Sequence, residues 1–175
     1  MKKYIVIYNK NSRGKTYSKQ DLEMIFSSHD LDSKIFVTNE IKQVDKIVKN
    51  FKNSKDYVYC AIGGDGTLNS LINALLGNNI NNPEVACIAS GSGSDFMRTF
   101  AMPVDIHQAI SRIKNNQNYS IDASFIESKT KSRYFINVLN YGFLAETVNL
   151  SEKLPNMFKR FRYPISFWLK LFTGK

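Results

Sequence analysis

The stretch Tyr57-Val58-Tyr59-Cys60-Ala61-Ile62-Gly63-Gly64-Asp65-Gly66-Thr67-Leu68-Asn69 runs from an unbroken apolar segment through a glycine turn into a helix with Leu68, Leu71, Ile72 and Leu75 at helical spacing. A short continuous apolar run suits a strand buried on both faces, as in a parallel sheet. Glycine lets the turn take positive φ and lets the backbone approach a ligand closely. A helix that starts directly after such a turn points free N–H groups and its positive dipole end at whatever lies there, and phosphate is the natural guest. Thr67 can cap the helix start. Asp65 is at odds with a phosphate neighbour unless it holds the turn through backbone N–H groups or faces Mg²⁺ through water.

The same alternation extends in both directions. Residues 4–8 form a short apolar strand, and residues 17–28 place Leu22, Ile25 and Phe26 on one helical side. Residues 34–38 read as a second strand, and residues 41–51 as an amphipathic helix through Ile41, Val44, Ile47, Val48 and Phe51. Strand-like residues 84–89 precede a helix near 105–115, and residues 120–127 and 134–140 read as two further strands. From Val148 the chain turns irregular, helical and basic. Strands alternating with helices imply right-handed βαβ units, hence an α/β fold of three layers, α/β/α, around a mostly parallel sheet. Residues 1–150 form the expected domain and residues 151–175 a basic, aromatic helical tail. Ligands of such sheets sit beyond the carboxyl ends of the strands.

Two other loops fall at those ends. Gly91-Ser92-Gly93-Ser94-Asp95-Phe96-Met97-Arg98 follows the fourth strand. Its serines can donate to phosphate, Asp95 can cap a short helix or join a metal network, and Arg98 can neutralise phosphate charge. Asn9-Lys10-Asn11-Ser12-Arg13-Gly14-Lys15-Thr16 follows the first strand and ends like a P-loop, but Asn9 stands where that motif needs its first glycine. A polar loop contacting phosphate or ribose is the better reading.

Composition narrows the partners. The 175 residues carry a net charge of +9, with 43% hydrophobic and 22% charged residues, an ordinary globular balance. Residues 151–175 hold six lysines and arginines against Glu152 alone, so the positive excess gathers in the tail. That distribution points away from a general nucleic-acid face and towards an anionic membrane surface or substrate. Phe158, Phe161, Tyr163, Ile165, Phe167, Trp168, Leu169, Leu171 and Phe172 intersperse those cations, a mixture that suits either an interfacial helix or a packing face. Cys60 and Cys87 lie in strand-like runs and read as buried free thiols of a reduced, cytoplasmic setting. No apolar run reaches the roughly 20 residues of a membrane span. His29 and His107 lie on expected helices away from the glycine turns.

The pair of glycine segments, Ile62 to Asn69 and Gly91 to Arg98, resembles the catalytic domain of the diacylglycerol kinase family, which includes sphingosine and ceramide kinases and bacterial lipid kinases. The first segment alone is shared with NAD kinases; the second points to lipid kinases. The loop from Asn9 to Gly14 and the run Phe135-Ile136-Asn137-Val138 to Gly142-Phe143 resemble the family too. The resemblance implies ATP as donor, Mg²⁺, and diacylglycerol or a related lipid as acceptor, with peripheral contact at an anionic membrane surface. It implies nucleotide contacts at Asn9, Lys10, Asn11, Ser12, Arg13, Thr38, Gly63, Gly64, Asp65, Gly66, Thr67, Leu68, Asn69, Gly91, Ser92, Gly93 and Arg98. Asp65 and Asp95 are then the carboxylates of catalysis and of a water-mediated metal site.

There are departures. Lys10 and Arg13 replace a proline and a glycine of the family's first loop, Ser92 and Ser94 replace Thr and Asn, and Leu144 stands where the family has Asp after its Gly-Phe. The resemblance also implies that a β-rich second domain, with the catalytic base and much of the lipid site, is absent from these 175 residues, leaving a face that a homodimer could cover. An NAD kinase-like enzyme and a non-catalytic nucleotide-binding domain are the alternatives.

Overall fold

A computed structural model describes residues 2–12, 14–52, 56–90, 94–116 and 118–173. The chain forms two compact units, one up to Ile136 and one from Asn137 onward.

In the first unit, β1 (Lys3–Asn9), β2 (Ser33–Thr38), β3 (Tyr57–Gly63) and β4 (Glu84–Ala89) form one sheet in the order β2-β1-β3-β4. Every pairing is parallel: Val6 lies opposite Ile35 and Cys60, and Cys60 opposite Ala86. Between the strands run α1 (Lys19–Ser28), α2 (Ile41–Phe51) and α3 (Asp65–Gly77). Beyond β4 come the short α4 (Asp95–Thr99) and α5 (Ile106–Lys114).

Alternation along β1 and β3 builds two cores. Tyr4, Val6, Tyr8, Cys60 and Ile62 face one side, where Leu22 and Phe26 of α1 and Ile106, Ala109 and Ile110 of α5 cover them. Ile5, Ile7, Tyr59 and Ala61 face the other, beneath Val44 and Val48 of α2 and Leu68, Leu71 and Leu75 of α3. The result is the expected three-layer α/β/α arrangement around a mostly parallel sheet. Burial on both faces is why β1 and β3 read as continuous apolar runs rather than alternating ones.

The helices start where the local chemistry allows. Ser18 caps α1 in a capping box with Asp21, which shortens the helix from the expected start at residue 17. The two serine–aspartate bonds hold the Asp21 carboxyl below the usual carboxylate range. Asp105 caps α5 through the N–H of Gln108 at 3.0 Å.

Three expectations change after α5. The strand expected at 120–127 begins only at Ser124, so Asp122 lies outside it, and the strand expected at 134–140 is Ser132–Phe135. These two, β5 and β6, pair antiparallel as a hairpin of their own instead of extending the sheet. The hairpin docks on α3 through a side chain: Asn73 Nδ2 donates to the Tyr134 carbonyl at 2.8 Å and its Oδ1 accepts from the Tyr134 N–H at 2.9 Å. Third, the region after Val148 is not irregular. In the second unit α6 spans Phe143–Lys153, a 3₁₀ segment covers Asn156–Phe161, and α7 spans Arg162–Thr173.

Both cysteines are free thiols packed in the sheet. Burial pushes the Cys60 thiol up, and burial together with the Asp65 carboxylate pushes Cys87 up to about 11. Raised values keep both thiols protonated at neutral pH, so iodoacetamide should label native Cys87 about a hundredfold more slowly than in the urea-unfolded chain. Equal rates would show that β4 opens readily. Asn73→Ala should strand the Tyr134 N–H, remove one of the two amides that donate to its carbonyl, and cost about 1–3 kcal/mol, seen as faster amide exchange across β5 and β6 while β1 stays protected.

Candidate nucleotide site at the carboxyl edge of the sheet

All four strands end at one edge, and side chains tie those ends together. The loop after β1 is the centre of the stitching. Asn9 Nδ2 donates to Thr67 Oγ1 in the first turn of α3 at 3.1 Å, while Asn9 Oδ1 accepts from the Asn11 N–H at 2.9 Å. Ser12 Oγ donates to the Asn9 carbonyl and lies 2.8 Å from Ser90 Oγ, just beyond β4. The Lys10 N–H donates to the Thr38 carbonyl at the end of β2 at 3.1 Å, and Asn11 Nδ2 to the Asn39 carbonyl at 3.0 Å. Thr38 is buried and its hydroxyl donates to the Tyr8 carbonyl.

This is not a P-loop. In that motif the helix opens at the Lys-Thr pair, whereas here α1 begins at Lys19 behind the Ser18 cap. The Lys15 ammonium sits over the Tyr17 ring, 5.4 Å from its centroid.

The glycine turn after β3 does two different jobs. A Cβ on Gly63 would come within 2.4 Å of Thr67 Oγ1 and 2.7 Å of Thr67 Cβ, so this glycine exists to let the first turn of α3 fold back on the strand. A Cβ on Gly66 would meet nothing within 4 Å, which leaves that side of the turn open. The expected cap at Thr67 is displaced: Gly64 is the N-cap, and Thr67 lies inside the helix with its N–H bonded to the Gly64 carbonyl at 3.0 Å. Its hydroxyl is taken by Asn9.

Asp65 makes the bond that sequence reading does not reveal. Its Oδ2 accepts from the Asp95 N–H at 2.9 Å and its Oδ1 from the Phe96 N–H at 3.2 Å. The carboxylate of the first glycine turn therefore holds the start of α4, just past the second. Of the two uses open to Asp65, binding backbone N–H groups is the one seen, and the N–H groups belong to the other loop, 30 residues away. Asp95 follows the N-cap Ser94 at the start of α4, and its Oδ1 pairs with Arg98 at 3.1 Å in a largely exposed ion pair. Exposed pairs of this kind contribute little energy, roughly 0–1 kcal/mol.

Several expected contacts lie elsewhere. Leu68 is a core side chain beneath α3, 2% exposed, so only its main chain can belong to the site. Asn69 is turned towards the hairpin: with its amide oriented to satisfy both neighbours, it donates to the Tyr134 carbonyl and accepts from Arg133 at 3.1 Å. Arg13, Gly91, Ser92 and Gly93 lie outside the described residues. His29 and His107 pair with each other, Nε2 to Nδ1 at 3.1 Å, between the end of α1 and α5. Among the described residues no group of three His, Cys, Asp or Glu is placed to hold a metal.

Fold and site together define an open α/β domain whose described loops gather at one edge of the sheet. The family model of the diacylglycerol kinase catalytic domain matches residues 3–126, and the chain belongs to this lipid kinase family. The diacylglycerol kinase of Staphylococcus saprophyticus is 29% identical over 171 residues, covering 95% of this chain and 53% of that protein. The enzyme of Staphylococcus haemolyticus is 32% identical over 119 residues, 67% of this chain and 34% of its own length. A crystal structure of a diacylglycerol kinase from Bacillus anthracis str. Sterne aligns with TM-score 0.55 at 26% identity, over 70% of this chain and 42% of that one. The chain thus spans about half the length of the curated relatives that it matches almost end to end.

Gly63→Ala should destabilise the domain by about 1–3 kcal/mol in urea unfolding, the usual cost of overpacking. Gly66→Ala should leave stability within about 1 kcal/mol, since helix propensity offsets the new methyl. Equal losses at the two positions would contradict the contact with Thr67.

Proposed function

We propose that this chain is the ATP-holding half of a lipid kinase that moves the γ-phosphate of ATP to a hydroxyl of diacylglycerol or a related lipid. The observation that carries this reading is the Asp65 bridge, which ties the first glycine turn to the start of α4 at one edge of the sheet, beside the loop of Asn9 to Ser12. The first two N–H groups of α3, on Asp65 and Gly66, precede the first intrahelical bond and suit phosphate oxygens. Lys10 and Arg98 supply positive charge at the same edge, and Thr38 fixes the end of β2.

Phosphoryl transfer asks little covalent chemistry of a protein. It needs the phosphates held in line and their charge neutralised. The acceptor hydroxyl oxygen bonds to the γ-phosphorus as the bond to the β–γ bridging oxygen breaks, ADP leaves with the electron pair, and the hydroxyl proton passes to a base. Mg²⁺, when bound, neutralises phosphate charge. The residues present would hold such an ion through its waters: Asp65 accepts one N–H bond on each oxygen and Asp95 pairs with Arg98 through Oδ1 alone, so both keep lone pairs that could accept from metal-bound water. Asp65 acts as a positioning residue, and Asp95 is a largely exposed carboxylate at the start of α4.

A second reading, a domain that holds nucleotide without transferring it, has one observation in its favour. Among the described residues, neither histidine stands at the strand ends to take the hydroxyl proton, because the two pair with each other between the end of α1 and α5. Loss of a general base costs typically 10²–10⁴-fold in rate.

Labelled ATP with diacylglycerol in mixed micelles and Mg²⁺ tests both. Transfer by the 175-residue chain, lost in Asp65→Ala, supports a working kinase. ADP binding that weakens about tenfold or more in Asp65→Ala, without transfer, supports the ATP-holding half. Phosphorylation of NAD with no effect of lipid would sink the lipid kinase reading.

A further inference from the structure

His29 and His107 are the two histidines of the chain, and neither takes part in the bonds at the carboxyl edge. They stand 78 residues apart in sequence and meet ring to ring, with Nε2 of His29 3.1 Å from Nδ1 of His107. The ring centroids are 5.4 Å apart and the planes 36° from each other, so the two nitrogens make the contact. Among the described residues neither ring has another hydrogen-bond partner. Both rings hang on fixed backbone. His29 is the C-cap of α1, with its main-chain N–H on the Phe26 and Ser27 carbonyls. His107 stands in the first turn of α5, behind the Asp105 cap. Phe26 and Ile106 anchor the two segments in the core, whereas His107 is exposed and His29 half-buried, so an ion can reach the pair.

A neutral imidazole carries one N–H and one lone pair. In the pair one facing nitrogen donates to the other, and a single proton lies between them. When the donor ring takes its other tautomer, that proton moves to the nitrogen turned away from the pair, Nδ1 of His29 or Nε2 of His107. Both facing nitrogens then offer lone pairs, and no proton is lost overall. The spacing suits one shared ion. At a zinc–imidazole distance of about 2.0–2.1 Å, two nitrogens stand about 2.9 Å apart at a right angle and about 3.3 Å apart at the tetrahedral angle. The observed 3.1 Å lies between these. Imidazole suits zinc, copper and nickel, whereas Mg²⁺ takes oxygen ligands. Asp30, next in the chain, is paired with Lys114 at 3.1 Å, which leaves the remaining positions on the ion to water. The two thiols do not compete for it, since both are packed in the sheet and held protonated.

We propose that His29 and His107 form a two-imidazole site for a divalent transition metal of the zinc class, held between the end of α1 and the first turn of α5. The ion joins two helices that cover the same side of the sheet. The rings meet only in the folded chain, so binding stabilises the domain by mass action. The site is independent of the kinase reading.

With no other histidine present, the imidazole C–H proton resonances report on this site alone. The 175-residue chain, without a histidine tag, is titrated with zinc chloride and separately with magnesium chloride. With zinc, both rings should shift together and saturate at one ion per chain, and the midpoint of urea unfolding should rise. Magnesium should move neither ring. His107→Gln should weaken zinc binding about tenfold or more and remove the rise in midpoint at equimolar zinc, and His29→Gln should do the same. His107→Cys, which restores a zinc ligand, should bring both back. An unchanged amide spectrum without zinc shows that each variant is folded. Rings that do not move, zinc binding unchanged in both glutamine variants, or one zinc per two chains in a sample of dimeric mass would each overturn the proposal.

Discussion

Everything at the carboxyl edge depends on β1 being a parallel strand buried on both faces in the middle of the sheet. Because β2 and β3 both run parallel to it, each connection must cross back through a helix, and each strand must release its following loop at the same end. Four loops that are far apart in sequence are thereby delivered to one place. The two apolar cores hold that geometry, since a slip of one residue along β1 would exchange Val6 and Tyr8 with Ile5 and Ile7 between the layers.

Onto this frame the site adds a small number of directed bonds. Asn9 reaches α3, Ser12 reaches Ser90, Lys10 reaches Thr38, and Asp65 reaches the start of α4. None of these is strong alone; neutral hydrogen bonds contribute about 0.5–1.5 kcal/mol each and those to a charged group about 1.5–3. Their value is geometric. A ligand at the edge meets loops already held in place, so less ordering is left to oppose binding.

The sheet was legible in the sequence because buried parallel strands and amphipathic helices write strong periodic patterns. Cys60 and Ala61 read as strand for the same reason that they are buried. The hairpin was misread because β5 and β6 are short and exposed, with Phe125 and Ile126 in the open, so no burial pattern bounds them. The site was legible by residue type and poorly by contact. Asp65 and Asp95 were both singled out, yet the bond between the Asp65 carboxylate and the main chain of residue 95 is a tertiary fact without local signature. Thr67 misled because threonine is a common cap; here glycine takes that place and the hydroxyl is spent on Asn9. Leu68 and Asn69 followed from the motif, and helical geometry turned one into the core and the other towards Arg133.

The contrast between Gly63 and Gly66 bears on how such motifs are inherited. Position 63 is pinned to glycine by its own helix, because any residue at 67 with a Cβ blocks a larger one there. A descendant that had abandoned nucleotides altogether would still keep it. Position 66 faces open space, and nothing in the packing protects it from drift. Across a lineage, then, the first glycine records that the fold survives, while persistence of the third records that something still comes to occupy the turn.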